Sequence, residues 1–185
     1  QTVGVFGNSL VAFGTEKQKK QWLPGIAKGE IRFCQGFSEP NAGSDLASLQ
    51  IRAVRDGDDY VINGQKIFTT NAEIADWIYL ASRTDPTVPK HKGITMFVVD
   101  IHSPGITIRP LRNMAFGRNN EVFFEDVRVP RENMVGEENR GWYHITTTLD
   151  FERSGVGTYG AAKRVLEDLI RYARETVVDG KALSE

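Results

Sequence analysis

Between Ile31 and about Val135 the chain loses any sustained helical period, and no other feature constrains its fold as strongly. Gln50 to Arg55, Tyr60 to Ile62 and Val122 to Phe124 alternate apolar and polar residues, the pattern of half-buried strands. Asp76 to Ser82 and Ile94 to Asp100 are more continuously apolar, which suits interior strands. Asn63-Gly64 lies between two such runs and is the strongest hairpin signal, because both residues tolerate positive φ. Residues 31–138 are therefore expected to form an antiparallel β-barrel or sandwich, ended by Pro130 and the Gly136-Glu137-Glu138 turn.

Helical patterns flank that region. Residues 1–30 read as helix, turn, helix. Thr15 and Gln18 form a capping-box signature, Trp22, Leu23 and Ile26 supply an apolar face, and Pro24 marks the last turn. After Gly141 the helical period returns, with a stripe from Leu149 through Val156, Tyr159, Val165, Leu166 and Ile170 along one long helix to about Val178. That stripe is too wide to leave in water, so its partners are expected beyond Glu185 or on another chain. Gln1 and Glu185 both read as cuts in a longer polypeptide. The expected class is α+β: the end of a helical domain at 1–30, a β-domain at 31–138, and the first long helix of an incomplete C-terminal bundle at 139–185.

Composition narrows the function. With 40% hydrophobic and 25% charged residues among 185, the chain is globular rather than disordered. A net charge of −1 argues against a nucleic-acid partner, which would call for a basic stripe. Cys34 is the sole cysteine, so no disulfide forms within the chain; this fits a reducing compartment, cytoplasmic or, in a eukaryote, the mitochondrial matrix. No apolar run reaches the length of a membrane span, and no leader pattern opens the chain. His91, His102 and His144 lack metal-ligand spacing, so no metal is expected. No Gly-rich phosphate loop of dinucleotide or P-loop type occurs.

Two segments carry the chemistry. In the first, Gln35-Gly36-Phe37-Ser38-Glu39-Pro40-Asn41-Ala42-Gly43-Ser44-Asp45, a strand ends and Pro40 stiffens a turn. Gly43 removes a side chain where something can approach the backbone, and two hydroxyls share one neighbourhood. By composition alone this is an ordinary surface loop. The second is Lys66-Ile67-Phe68-Thr69-Thr70-Asn71, where Phe68 could equally be a plain core aromatic.

Together these segments resemble the acyl-CoA dehydrogenase family, in its S/T-E-P-x-A-G-S-D and K-x-[W/F]-I-T-N motifs. Three further stretches are similar to that family: Phe13 to Lys19, Phe124 to Pro130, and Gly141-Trp142 followed by Leu149-Asp150-Phe151-Glu152-Arg153. The resemblance implies FAD as cofactor and an acyl-CoA thioester as substrate. It assigns Gln35, Phe37, Ser38, Gly43, Ser44, Phe68, Thr69 and Thr70 to the flavin site. Phe37 would offer its N–H and Ser38 its hydroxyl, Phe68 would lie against the ring, and Thr70 would bond near N5. Ser44 would also face the pantetheine arm. Thr69 stands where the family has an apolar residue, on what is expected to be the outward side of a strand. The family places its catalytic Glu at either of two sequence sites, one beyond Glu185 and one, in its isovaleryl-CoA dehydrogenase-like branch, in an L-D-x-E-R segment. The match to the second implies Glu152 as the base that takes the α-proton, facing the interior with Leu149 and Val156. Asp150 and Arg153 would orient the thioester end. By composition Glu152 could instead be a solvated helix glutamate. The family further implies a homo- or hetero-oligomer and electron delivery to an electron-transfer flavoprotein. An acyl-CoA oxidase or nitroalkane-type oxidase, or a catalytically silent subunit, would use the same scaffold.

Overall fold

A computed structural model describes residues 2–114, 118–153, 156–178 and 181–183. They form two compact units, one running through Asp150 and one from Phe151 onward.

The first unit opens with a π-helical turn, Thr2–Gly7, then α1 (Asn8–Phe13) and α2 (Glu16–Lys28). The capping box closes as expected: the Gln18 N–H donates to Thr15 Oγ1 at 3.2 Å, and the Thr15 N–H to Gln18 Oε1 at 3.0 Å. Pro24 does not mark the helix end. It sits inside α2, which stops at a left-handed Gly29. Phe6 and Trp22 drive these helices onto the sheet. Phe6 stacks on Phe33 with ring centroids 3.8 Å apart, and Trp22 meets Trp77 edge-on at 5.7 Å.

The sheet comprises β1 (Phe33–Gly36), β2 (Arg52–Asp56), β3 (Asp59–Lys66), β4 (Trp77–Arg83), β5 (Ile94–Asp100), β6 (Ile106–Leu111), β7 (Asn119–Pro130) and β8 (Met134–Val135). β4 and β5 are buried along almost their whole length, as their continuous apolar runs imply. The hydrogen-bonded order is β6-β7-β3-β2-β4-β5-β8, with β1 beside β4. Two features differ from an antiparallel barrel. β6 and β8 end the path without pairing to each other, so hydrogen bonds do not close the sheet. β1 also runs parallel to β4, and β2 meets β4 in parallel at Arg52 and Arg83. A parallel neighbour needs a long crossover, and here the β2–β3 hairpin lies within it.

The hairpin turn is also elsewhere than expected. Asp56 pairs with Asp59, so the two-residue loop is Gly57-Asp58, with Gly57 at φ +65. Asn63-Gly64 instead lies inside β3, where the register against β7 shifts between Ile62 and Gly64. It is a bulge. Gly64 has φ +143, and a Cβ there would lie 2.9 Å from the Ile51 Cα. Asn63 clasps the opposite strand, donating from Nδ2 to Asp126 Oδ1 and accepting the Asp126 N–H at Oδ1, both at 2.9 Å.

β8 leads to α3 (Gly141–Arg153), whose first turns belong to the same unit. Ile145 and Thr148 are buried; Thr148 Oγ1 lies 2.6 Å from Ser9 Oγ, and Phe13 stacks on His144 at 4.2 Å. The second unit contains α4 (Val156–Glu175) and a short antiparallel pair, β9 (Val177–Val178) with β10 (Lys181–Ala182). The described helical path comprises α3 and α4, and it ends at Glu175 rather than near Val178. The β-branched run Thr176-Val177-Val178 goes extended instead. The side chain of Val156, which the stripe included, lies outside the described residues. Leu149 is half-buried on α3 against the core, whereas Tyr159, Val165, Leu166, Leu169 and Ile170 on α4 are all open to solvent.

Candidate functional site

β1 hands the chain at Gly36 to Phe37 and Ser38, and two backbone hydrogen bonds between Glu39 and Ala42 close the Pro40 turn. Nearly thirty residues on, the end of β3 comes alongside. The Ile67 N–H donates to the Ser38 carbonyl at 2.9 Å, so the two motif segments are joined through their backbones.

A buried ion pair joins them a second time. Lys66 Nζ donates to Glu39 Oε1 and to the Phe37 carbonyl, each at 2.8 Å. Glu39 also accepts the Gln50 N–H at 2.6 Å and the Ile51 N–H at 3.1 Å. The Lys66 side chain has 0% exposure and Glu39 8%. Burial pushes the Lys66 ammonium down to about 8, although Glu39 pulls the other way. Sequence reasoning quoted both residues and gave neither a role. Opposite charges inside two otherwise turn-like or apolar segments were the available signal.

Past Lys66 the chain makes an abrupt excursion. Phe68 has φ +56, a conformation that a bulky residue rarely adopts, and its side chain is 63% exposed. Phe68 is therefore not a core aromatic. The excursion is pinned at both ends, by Ile67 on Ser38 and by the Thr69 N–H on the Asn120 carbonyl at 2.9 Å. Asn120 returns its own N–H and its side-chain amide to the Thr69 carbonyl, both at 3.1 Å. Thr69 is not outward-facing as expected. It is buried, with a hydroxyl that has no hydrogen-bond partner. Thr70 is half-buried and donates from Oγ1 to Asn119 Oδ1 at 2.9 Å. Asn119 and Asn120 were missed in the sequence; two polar residues opening an apolar strand were the only hint.

Around this frame the other expected residues fall as follows. Gln35 is half-buried in β1, opposite Tyr79. Phe37 is buried, its ring 6.0 Å from that of Tyr79. Ser38 is half-buried, and its hydroxyl has no hydrogen-bond partner among the described residues. Gly43 and Ser44 are exposed, and a Cβ on Gly43 would meet nothing within 4 Å. Asp45 pairs with Lys90 at 2.6 Å, and that hydrogen bond holds its carboxyl below the usual carboxylate range. Asp150 closes the first unit, exposed on α3. Glu152 and Arg153 follow in the second unit, likewise exposed. Chemically, Ser38, Phe68 and Thr70 present a free hydroxyl, an outward aromatic face and a second hydroxyl on neighbouring backbone, which suits a flat ligand with polar edges. Among the described residues no cluster of His, Cys, Asp or Glu is arranged to hold a metal, and no helix is long and apolar enough to cross a membrane.

Comparison with known proteins agrees with this geometry. Family models for the N-terminal, middle and C-terminal domains of acyl-CoA dehydrogenases match residues 1–30, 34–127 and 139–185. The chain is 50% identical over 161 residues to acyl-CoA dehydrogenase FadE29 of Mycobacterium tuberculosis, covering 86% of this chain and 41% of that one. It is 39% identical over 171 residues to the mitochondrial isovaleryl-CoA dehydrogenase of Pongo abelii, covering 89% and 40%. Among solved structures, the Tcur3481-Tcur3483 steroid ACAD superposes with a TM-score of 0.83 at 47% identity, covering 95% of this chain and 46% of that one. The chain spans less than half the length of each of these relatives. From its first helices to the start of its C-terminal helices, it belongs to the acyl-CoA dehydrogenase family.

Proposed function

We propose that the chain forms the flavin- and thioester-facing part of an FAD-dependent acyl-CoA dehydrogenase, with helical domains at 1–30 and 139–185 flanking the β-domain. The observation that carries this reading is the joining of Ser38 to Ile67 while Phe68 is forced outward beside them. FAD fits these residues. Phe68 offers an exposed ring face, the Ser38 hydroxyl lacks a partner among the described residues, and Gly43 leaves open backbone. Bound FAD supplies the acceptor for the hydride that leaves the substrate's β-carbon. Phe37, Ser38, Phe68 and Thr70 hold the ring, with Gln35 and Thr69 shaping the strands behind them. The Thr70 proton goes to Asn119 Oδ1, so its hydroxyl offers lone pairs to an N–H donor such as the N5 of a reduced ring. Ser44 receives the pantetheine arm, Asp150 and Arg153 orient the thioester, and Glu152 takes the α-proton. The likeness to an isovaleryl-CoA dehydrogenase favours Glu152 as base, and that to a steroid ACAD puts steroid-derived acyl thioesters among the substrates to try. Electrons then pass to an electron-transfer flavoprotein.

Anaerobic mixing of the full-length protein with a panel of acyl-CoA thioesters tests this. Bleaching of the flavin is expected, and Glu152→Gln should slow it by roughly 10²–10⁴-fold while substrate still binds. Ser38→Ala and Thr70→Val should slow it less and loosen FAD, by ~1 kcal/mol per lost bond. Bleaching by Glu152→Gln at the parent rate would place the base elsewhere. No bleaching by any thioester would favour a silent subunit, and fast reoxidation of the reduced flavin in air an oxidase.

A further inference from the structure

The Lys66–Glu39 pair has a feature that stability does not explain. Both groups are buried, and burying two charges costs enough that an apolar pair of similar volume is often as good or better. Yet apart from each other, among the described residues the side chains of the pair bond only to backbone: the Phe37 carbonyl, the Gln50 N–H and the Ile51 N–H. One of these atoms lies in the peptide that joins Phe37 to Ser38. The others anchor the stretch that follows the Ser44 loop. On the other side, Lys66 comes two residues before Phe68, and Ile67 between them is bonded to Ser38.

We propose that Lys66 and Glu39 are a positioning pair, which fixes the Phe37–Ser38 backbone against the Phe68 excursion so that the groups facing the ligand keep one spacing. The argument is geometric. The ammonium draws the Phe37 carbonyl inward, which orients the peptide that carries the Ser38 N–H. The carboxylate ties that same ammonium to Gln50 and Ile51, so the cradle loop cannot slide along β3. Phe68 at φ +56 is costly on its own and persists only where its neighbours over-determine it. The ion pair, the Ser38–Ile67 bond and the Thr69–Asn120 bonds are what over-determine it. The proposal rests on the flavin reading above, and neither residue is assigned contact with the ring.

Glu39→Gln, Lys66→Met and the double variant, made in the full-length protein in its native assembly, test the pair. The readouts are the FAD dissociation constant after reconstitution of apoprotein, the visible band shape of bound FAD, and, separately, thermal unfolding of the apoprotein. Each single variant is expected to loosen FAD by roughly tenfold to a hundredfold and to alter the flavin band. The double variant should lose less than the two singles combined, because neither charge is then left alone. If Lys66→Met does not fold, Glu39→Gln decides, since it keeps the shape and one acceptor while removing the charge and turning the second acceptor into a donor. Parent-like FAD affinity and spectrum in Glu39→Gln, with only the melting temperature lowered, overturns the proposal and leaves the pair purely structural. A parent protein that takes up no FAD overturns the functional reading itself, and this one with it.

Discussion

Phe68 shows how a single backbone angle shapes the candidate site. Its backbone lies where bulky side chains rarely go, and its ring points to solvent rather than into the core. The sequence motif marked the position, but periodicity could not tell an outward aromatic from a buried one, because that depends on one dihedral. The same limit hid Thr69, whose burial follows from the excursion beside it. Ser38 was marked by the motif alone, since by composition its segment is an ordinary loop, and its bond to Ile67 needed the fold. His144 supplies a test at this scale. Burial holds its pKa below the ordinary 6.5, with Arg140 adding to the effect and Glu137 opposing it. The folded protein therefore binds the proton more weakly than the unfolded chain. The stability from a neutral His144 is fully present above about pH 6.5 and is lost as pH falls through the lower folded value. His144→Phe should flatten the acid limb of the stability–pH curve in urea titrations. An unchanged acid slope would mean that His144 takes up its proton alike in the folded and unfolded chain, against the burial account.

At the level of elements, strand positions were more legible than the joints between them. The continuous apolar runs of β4 and β5 predicted burial correctly, because a strand covered on both faces has no reason to alternate. Asn63-Gly64 misled, because a hairpin turn and a bulge both call for residues that tolerate positive φ. Three-dimensional crowding decides between them. Gly64 faces the Ile51 backbone, and Asn63 finds Asp126 across the strand, neither of which a linear pattern reveals. Gly64→Ala should thus cost more than ~1 kcal/mol, as strain and overlap add. Gly43→Ala, in open space, should stay within about 0.5 kcal/mol. Urea unfolding of the two variants checks both values, and equal midpoints would refute the bulge account.

For the whole molecule, the expected α+β class held, and what lay beyond it was the open strand order and the parallel pairing of β1 with β4. Pattern specifies strands; which strands meet depends on the crossover they enclose. The exposed apolar side chains of α4, on a chain spanning less than half its relatives, bear on handling the 185 residues alone. Expressed by itself, this chain should associate or precipitate and should not retain stoichiometric FAD. Recovery of a stable yellow monomer by size-exclusion chromatography would count against that. The parallel pairing also sets a timetable. The Arg32 N–H beside β1 bonds to Asp76, 44 residues further along the chain. The first cradle segment therefore leaves the ribosome well before β4, the strand that holds β1. Until β4 emerges, Phe33 and Cys34 have no ladder to join, and a nascent chain stalled before Trp77 would hold β1 only through the contacts of the loop that follows it, Ser38 with Ile67 and Glu39 with Lys66.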